Sequence, residues 1–181
     1  MVRIWIVFWC CLFTFFLNHA QENEFEKIDS KRFKRLYKIN DYLYRSEQPS
    51  KKGFKELEAS GIKTILNLRR AKNDSSRAKG RDLLLLTLPL KAKELNEKDI
   101  IDGLKAIQDS PKPVLVHCWH GSDRTGALVA AYRIVVEDWP KEKAIKEFRY
   151  KDFGYHEKMY PNLVPLLEQL DINKVREAIG M

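Results

Sequence analysis

The run His117-Cys118-Trp119-His120-Gly121-Ser122-Asp123-Arg124-Thr125-Gly126 limits the folds open to this chain more than any other stretch of it. Ahead of it, Pro113-Val114-Leu115-Val116 reads as a short buried strand. Behind it, Ala127 to Val136 reads as a helix with one broad apolar face. A strand that passes through a tight, glycine-containing loop into a helix N-terminus makes an anion cradle. Its backbone N–H groups converge on one point, and the helix dipole adds positive potential there. A cysteine at the entrance and an arginine at the exit direct that cradle toward chemistry on phosphate.

The rest of the chain supplies a sheet for this unit. Ile39 to Arg45 carries Asn40-Asp41 between apolar residues and predicts a small hairpin. Ser50 to Ala59 has helical spacing, with Ser50 placed as an N-cap and Gly61 suited to the C-terminal end. Lys63 to Leu68 reads as a strand, and Leu83 to Leu88 as another. Between them, Arg69 to Arg81 is a polar loop with six basic residues, turning at Asn73-Asp74-Ser75-Ser76. Asn96 to Asp109 is an amphipathic helix with Ile100, Ile101, Leu104 and Ile107 on one face. Lys141 to Tyr150, Met159 to Leu170 and Asn173 to Ile179 are helical by pattern. Strands alternating with helices predict an α/β sheet covered on both faces. Ligands bind beyond the C-terminal strand ends of such sheets. That edge would gather Arg69-Arg70, Leu90 to Leu95 and the Cys118 loop.

The first twenty residues stand apart. Arg3 is their lone charge, Ile4 to Leu17 is an apolar run of fourteen residues, and Asn18-His19-Ala20 ends on a small residue. This order predicts a secretory signal cut after Ala20, because the run is short for a span of about 20 residues. An uncleaved membrane anchor is the alternative. The expected organisation is a signal over 1–20, a polar and basic lead-in over 21–36, and one catalytic domain over 37–181 in an exported, periplasmic or secreted protein. Cleavage removes Cys10 and Cys11, so Cys118 becomes the one thiol of the mature chain, with no partner for an intrachain disulfide.

Lys and Arg number 33 against 25 Asp and Glu, a formal charge of +8 that becomes +7 without the first twenty residues. This balance suits anionic partners, phosphorylated molecules and acidic lipid headgroups among them. The basic and apolar residues interleaved over Lys31 to Lys38 read as a solvated edge leading into a strand, with a nucleic-acid or membrane-surface patch as the alternative. The aromatic and basic platform of a nucleic-acid binder is lacking.

A phosphate monoester needs its charge neutralised, a nucleophile in line, and help for its leaving group. The N–H groups of Trp119 through Arg124 would hold the phosphoryl oxygens. Arg124 adds a planar fork that lysine would not reproduce. The same positive surroundings stabilise a thiolate at Cys118, which would attack phosphorus, and water would hydrolyse the resulting phosphocysteine. Thr125 is placed to hydrogen-bond the sulfur, and His117 to shape the loop. Gly121 permits a backbone geometry and a close approach that a side chain would obstruct. Trp119, His120, Ser122 and Gly126 complete the candidate binding wall, with Trp119 and His120 at its rim. No metal or other cofactor enters this reading, and Tyr155 and His156, on a later turn, receive no role.

His-Cys, five residues, then Arg-Thr-Gly closely resembles the signature of the cysteine-dependent protein tyrosine and dual-specificity phosphatases. The resemblance extends to Leu43-Tyr44-Arg45-Ser46-Glu47-Gln48-Pro49, to Gly61 through Arg69, to Tyr132 through Val135 and Trp139, and to Phe153-Gly154. These segments look like the compact exported bacterial branch and cover most of residues 40 to 160. The resemblance implies a three-layer α/β sandwich, with a central, mostly parallel sheet flanked by helices. It also implies a phosphatase acting on phosphotyrosine in proteins, with phosphoserine and phosphothreonine as further substrates. A phosphoinositide or inositol phosphate is the rival substrate. A phosphate-binding module without turnover is a third reading, against which Cys118 and Arg124 argue.

One departure from the family matters. Its general-acid Asp comes from the loop between the preceding strand and helix, and here that loop, Leu90 to Glu97, contains no Asp. Glu94 or Glu97 could substitute, or Asp123 inside the cradle could be the acid. Otherwise Asp123 only fixes the loop by accepting backbone hydrogen bonds, and no dedicated acid acts.

Overall fold

The computed structural model describes residues 24–181, so the expected signal segment lies outside the described residues. Six strands form one sheet: β1 (Glu26–Lys27), β2 (Tyr37–Lys38), β3 (Leu43–Ser46), β4 (Thr64–Asn67), β5 (Leu84–Thr87) and β6 (Val114–His117). Their spatial order is β1-β2-β3-β6-β4-β5. The strands β3, β6, β4 and β5 run parallel, and β2 and β1 add an antiparallel edge. All four parallel strands therefore end on one edge.

The two central strands, β4 and β6, are buried throughout and apolar on both faces. Alternation sorts their side chains. Ile65 and Leu115 face the helix α1 (Lys51–Ala59), where they pack with Phe54, Leu57 and Ile62. Leu66, Val114 and Val116 face a larger cluster built on α2 (Glu97–Asp109), α3 (Asp123–Val135), α4 (Lys141–Phe148), α5 (Leu163–Glu168) and α6 (Ile172–Ile179). Three layers result, as the sequence predicts. Local chemistry sets the boundaries. Ser50 caps α1 by accepting from the N–H of Gly53, and Asn96 and Asp99 form a reciprocal capping box on α2. The carboxamide oxygen of Asn40 accepts from the N–H groups of Tyr42 and Leu43, both at 2.8 Å, and closes the β2–β3 hairpin. Among the described residues no helix is long and apolar enough to cross a membrane.

The structure departs from the sequence reading in four places. The helix after the cradle has no solvent face, since every residue from Thr125 to Val135 is buried. Glycines and alanines permit this. A Cβ on Gly126 would stand 2.5 Å from the ring of Phe148, and one on Gly103 of α2 would stand 2.6 Å from Leu128. The one buried charge on the inner stretch of α3, Arg133, is paired with Glu137 and Glu147. The helix expected from Met159 begins only at Leu163. Pro165 explains the delay, because it fits the first turn of a helix and would break one that started earlier. The segment before residue 37 is part of the domain: β1 extends the sheet, and Phe33 and Leu36 are buried against α1.

The fourth departure lies in the basic loop after β4. Asp74, expected at an exposed turn, is only 3% exposed. Its carboxylate accepts from Nε2 of His117 at 2.8 Å and from the Gln48 carboxamide at 2.8 Å. The other ring nitrogen of His117, Nδ1, donates to the carbonyl of Cys118 at 3.1 Å. The ring is thus held between the Asp74 carboxylate and the Cys118 carbonyl. Burial alone would raise the Asp74 carboxyl, but the bonds from His117 and Gln48, with Arg77 nearby, outweigh it and hold it below the ordinary 3.8. Its stabilising contribution is therefore present above that value and lost as the pH falls through the lowered native one. Asp74→Asn is expected to reduce stability near neutral pH by about 1–3 kcal/mol, the cost of impairing a buried charged hydrogen bond. Denaturant unfolding of both proteins from neutral to acid pH checks this: the gap should narrow in acid, and a constant gap would contradict it.

Candidate functional site

The parallel strand β6 ends at His117 and α3 begins at Asp123, so Cys118 to Ser122 must turn within five residues. Each carbonyl in that turn is tied to something outside it. Cys118 O accepts from His117 Nδ1, and Trp119 O from the N–H of Gln48 at 3.1 Å. His120 O accepts from Arg35 at 3.4 Å, Gly121 O from Arg45 at 2.7 Å, and Ser122 O from the N–H of Gly126 at 2.7 Å. In a trans peptide the N–H points opposite to the carbonyl of the same unit. Drawing these carbonyls outward therefore aims the N–H groups of Trp119 to Asp123 inward. Among the described residues, none of the N–H groups from Trp119 to Arg124 donates to another group of the chain.

Gly121 makes the turn possible, as expected. Its φ is +72°, and a Cβ there would stand 2.5 Å from the backbone of Ser46. Arg45, 2% exposed, lies behind the loop with its guanidinium 3.8 Å from the ring centre of Phe153. Burial draws its pKa down to about 10, against the pull of Glu147 and Cys118. It brings positive charge to the back of the cradle through the Gly121 carbonyl.

Cys118 is a free, buried thiol at the strand end. Arg124 reaches across the mouth of the sheet, and one Nη donates to the carbonyls of Leu68 at 3.2 Å and Leu90 at 3.3 Å. The guanidinium thus joins the loops after β4 and β5 to the cradle. Its Nε is buried and has no partner in the chain, which leaves a donor for an anion. The Thr125 hydroxyl is likewise buried without a partner, so the expected bond to the Cys118 sulfur is not made here. Ser122 is fully buried. Gly126 serves packing: its Cα faces Phe148 and Arg45, and its N–H is committed to Ser122.

Trp119 and His120 stand at the rim. Trp119 is half exposed, with the Arg69 guanidinium 4.4 Å from its ring centre. Arg69 is anchored by Gln48, and burial, Arg77 and Arg124 together lower its pKa. Burial first, then His156, Arg35 and Arg124, likewise depress the imidazolium of His120, against the opposing pull of Asp123. The mouth is therefore ringed with cationic groups.

The acid candidates are separated by their partners. Glu94 is exposed and held by Lys91 at 2.7 and 2.9 Å, and Glu97 is held by Lys174 and the N–H of Asp171. Asp123 lies in the cradle, nearly buried, and accepts from the backbone N–H of His156 at 2.9 Å. The His156 ring nitrogen Nδ1 sits 3.1 Å from both carboxylate oxygens. Sequence reasoning missed His156, Asp74, Arg35, Arg45 and Gln48. The last two lie in the Leu43–Pro49 stretch, a signal for position without a signal for role. Among the described residues no group of three or more His, Cys, Asp or Glu side chains is arranged to hold a metal ion.

Inward N–H groups, an unpartnered guanidinium nitrogen and a thiol at one point can bind a tetrahedral oxyanion and attack its centre. A family model described as "Polymorphic toxin system, DSP-PTPase phosphatase" matches residues 41–138. The dual specificity protein phosphatase TpbA of Pseudomonas aeruginosa is 33% identical over 127 residues, which are 68% of this chain and 57% of that protein. The chain thus spans little more than half the length of that curated relative. The crystal structure of TpbA superposes with a TM-score of 0.79 at 26% identity, covering 90% of this chain and 100% of that one. A structure of its cysteine-to-serine variant in complex with phosphotyrosine gives 0.76 at 27% identity, covering 86% and 95%. The core catalytic domain of the PP-IP phosphatase SIW14 from S. cerevisiae shares the fold, with a TM-score of 0.66 at 20% identity over 76% of this chain and 86% of that one. The family match runs from the β2–β3 turn past the end of α3, taking in the strands and the helix that build the cradle, and by it the chain belongs to the DSP-PTPase phosphatase family.

Proposed function

We propose that this chain hydrolyses phosphate monoesters of proteins, phosphotyrosine first and phosphoserine or phosphothreonine besides, through a phosphocysteine intermediate. The observation that carries the reading is the set of inward N–H groups from Trp119 to Asp123, on the same loop as the Cys118 thiol and next to the unpartnered Nε of Arg124. A dianion would receive donors on several oxygens there, and the thiolate would be in line with the leaving oxygen. Kinship with TpbA, whose variant is seen with phosphotyrosine, supports the substrate class. Thr125 would reach the sulfur once charge develops on it. Export, by a signal cut after Ala20, is part of the proposal and is supported by the charge, apolar run and small-residue order of residues 1–20.

One observation favours a second substrate class. Arg69, with Arg77 beside it, faces the mouth over Trp119, and a phosphoinositide or inositol phosphate carries the extra phosphates such a rim would meet.

Cys118→Ser is expected to bring hydrolysis of p-nitrophenyl phosphate to the background rate while orthovanadate still binds. Full activity in that variant would end the proposal. Arg124→Lys should lower kcat/KM by about 100-fold or more, because an ammonium cannot reproduce the fork. Phosphate release from a phosphotyrosyl peptide, a phosphoseryl peptide and a phosphoinositide, measured side by side, decides the substrate. The peptide carrying phosphotyrosine should be fastest, and strong preference for the lipid would replace the protein reading with the second one.

A further inference from the structure

Resting on the phosphocysteine reading above, we propose that His156, oriented by Asp123, is the proton donor to the leaving group. Neither Glu94, in the loop before α2, nor Glu97, the first residue of α2, offers a free carboxylate, since each is bound to a lysine. Asp123 is well placed but is engaged by two groups of His156: it accepts from the backbone N–H at 2.9 Å, and the ring Nδ1 lies 3.1 Å from each of its oxygens. Both of its oxygens are thus engaged with His156. The carboxylate can hold an imidazolium in place, which is the arrangement that orients a histidine for proton transfer.

The position of the ring fits that task. Gly154, with a φ of +69°, swings the segment back against the cradle, so close that a Cβ on it would stand 3.3 Å from Ser122 Oγ. The backbone bond from His156 to Asp123 then fastens the segment to the first residue of α3. The imidazole comes to rest half exposed, 5.6 Å between ring centres from His120 at the rim. The Nε2 of His156 makes no hydrogen bond among the described residues. In an in-line displacement the leaving oxygen lies opposite the sulfur, toward the mouth where these rings stand. Burial first, then His156, Arg35 and Arg124, depress the imidazolium of His120 against the pull of Asp123, so His120 is the poorer proton donor of the two rings in this cationic setting.

The chemistry balances in two steps. The Cys118 thiolate forms the S–P bond as the P–O bond to the leaving group breaks. The proton on His156 Nε2 passes to that oxygen, releasing the phenol or alcohol and leaving a neutral imidazole. Water then attacks phosphorus, the S–P bond breaks to return the thiolate, and the proton of the water passes to Nε2.

A proton donor shows itself in leaving-group dependence, which a merely structural residue does not alter. The wild-type protein, His156→Gln and Asp123→Asn are to be assayed on p-nitrophenyl phosphate and on phenyl phosphate, whose leaving group is far more basic. The expected result is a loss in His156→Gln that is about 100-fold larger on phenyl phosphate, in keeping with the worth of general acid catalysis. Asp123→Asn should shift the ratio in the same direction, and added imidazole should restore part of the phenyl phosphate rate to His156→Ala. Equal losses on both esters, with the thermal midpoint unchanged, would overturn the proposal. So would a steepened dependence in Asp123→Asn alone, which would make Asp123 the acid itself. A wild-type protein inactive on both esters would instead refute the phosphatase reading and this proposal with it.

Discussion

The cradle exists because its carbonyl oxygens are spoken for. A five-residue turn between a strand and a helix has no regular hydrogen-bond ladder, and left alone its peptide units would rotate to suit water. Here His117, Gln48, Arg35, Arg45 and Gly126 take the carbonyls from Cys118 to Ser122. The peptide planes are thereby set before any anion arrives, so binding requires little reorganisation. Three of these donors, Arg35, Arg45 and Gln48, come from far along the chain, which makes the cradle a tertiary object and more than a local motif. Asp74 belongs to the same scheme at one remove, since it orients the His117 ring that holds the first carbonyl.

The positive charge of the chain is distributed to serve this point. Arg45 works from behind, within the core, and Arg124 from the side, across the ends of β4 and β5. Arg69 and Arg35 stand at the front and beneath the rim. Three of these four guanidinium groups touch backbone carbonyls, which fixes their geometry at modest cost and leaves their charge uncancelled by a carboxylate. The pairing with acidic groups is instead spent elsewhere, on Arg133 in the helical layer and on lysines at the surface.

Sequence and structure agree where the causes are local. The Asn40 turn, the Ser50 cap, the apolar strands β4 and β6 and the spacing from Cys118 to Arg124 each depend on neighbours within a few residues. All were legible, as was the need for glycine at 121. What escaped depends on contacts between distant segments. Asp74 looks like a turn residue because its neighbours are Asn, Ser and Ser, and only the fold carries it 43 positions along to His117. His156 reaches Asp123 across 33 positions. Neither link leaves a periodicity or a composition in the sequence. The one-faced reading of α3 failed for a related reason: alanine and glycine carry little hydrophobic signal, yet they are the residues that let neighbouring helices close in on every side.

That burial governs how the cradle can breathe. A helix with a solvent face frays from its ends at small cost, and surface loops open well below the free energy of global unfolding. The buried stretch of α3 begins within two residues of the cradle and runs to its C-terminal end, enclosed by the sheet and by α2, α4, α5 and α6. Its first turn cannot unwind without exposing the core. The amide protons of this helix should therefore exchange at the rate of whole-domain unfolding, and the anion site should persist intact until the domain itself is lost.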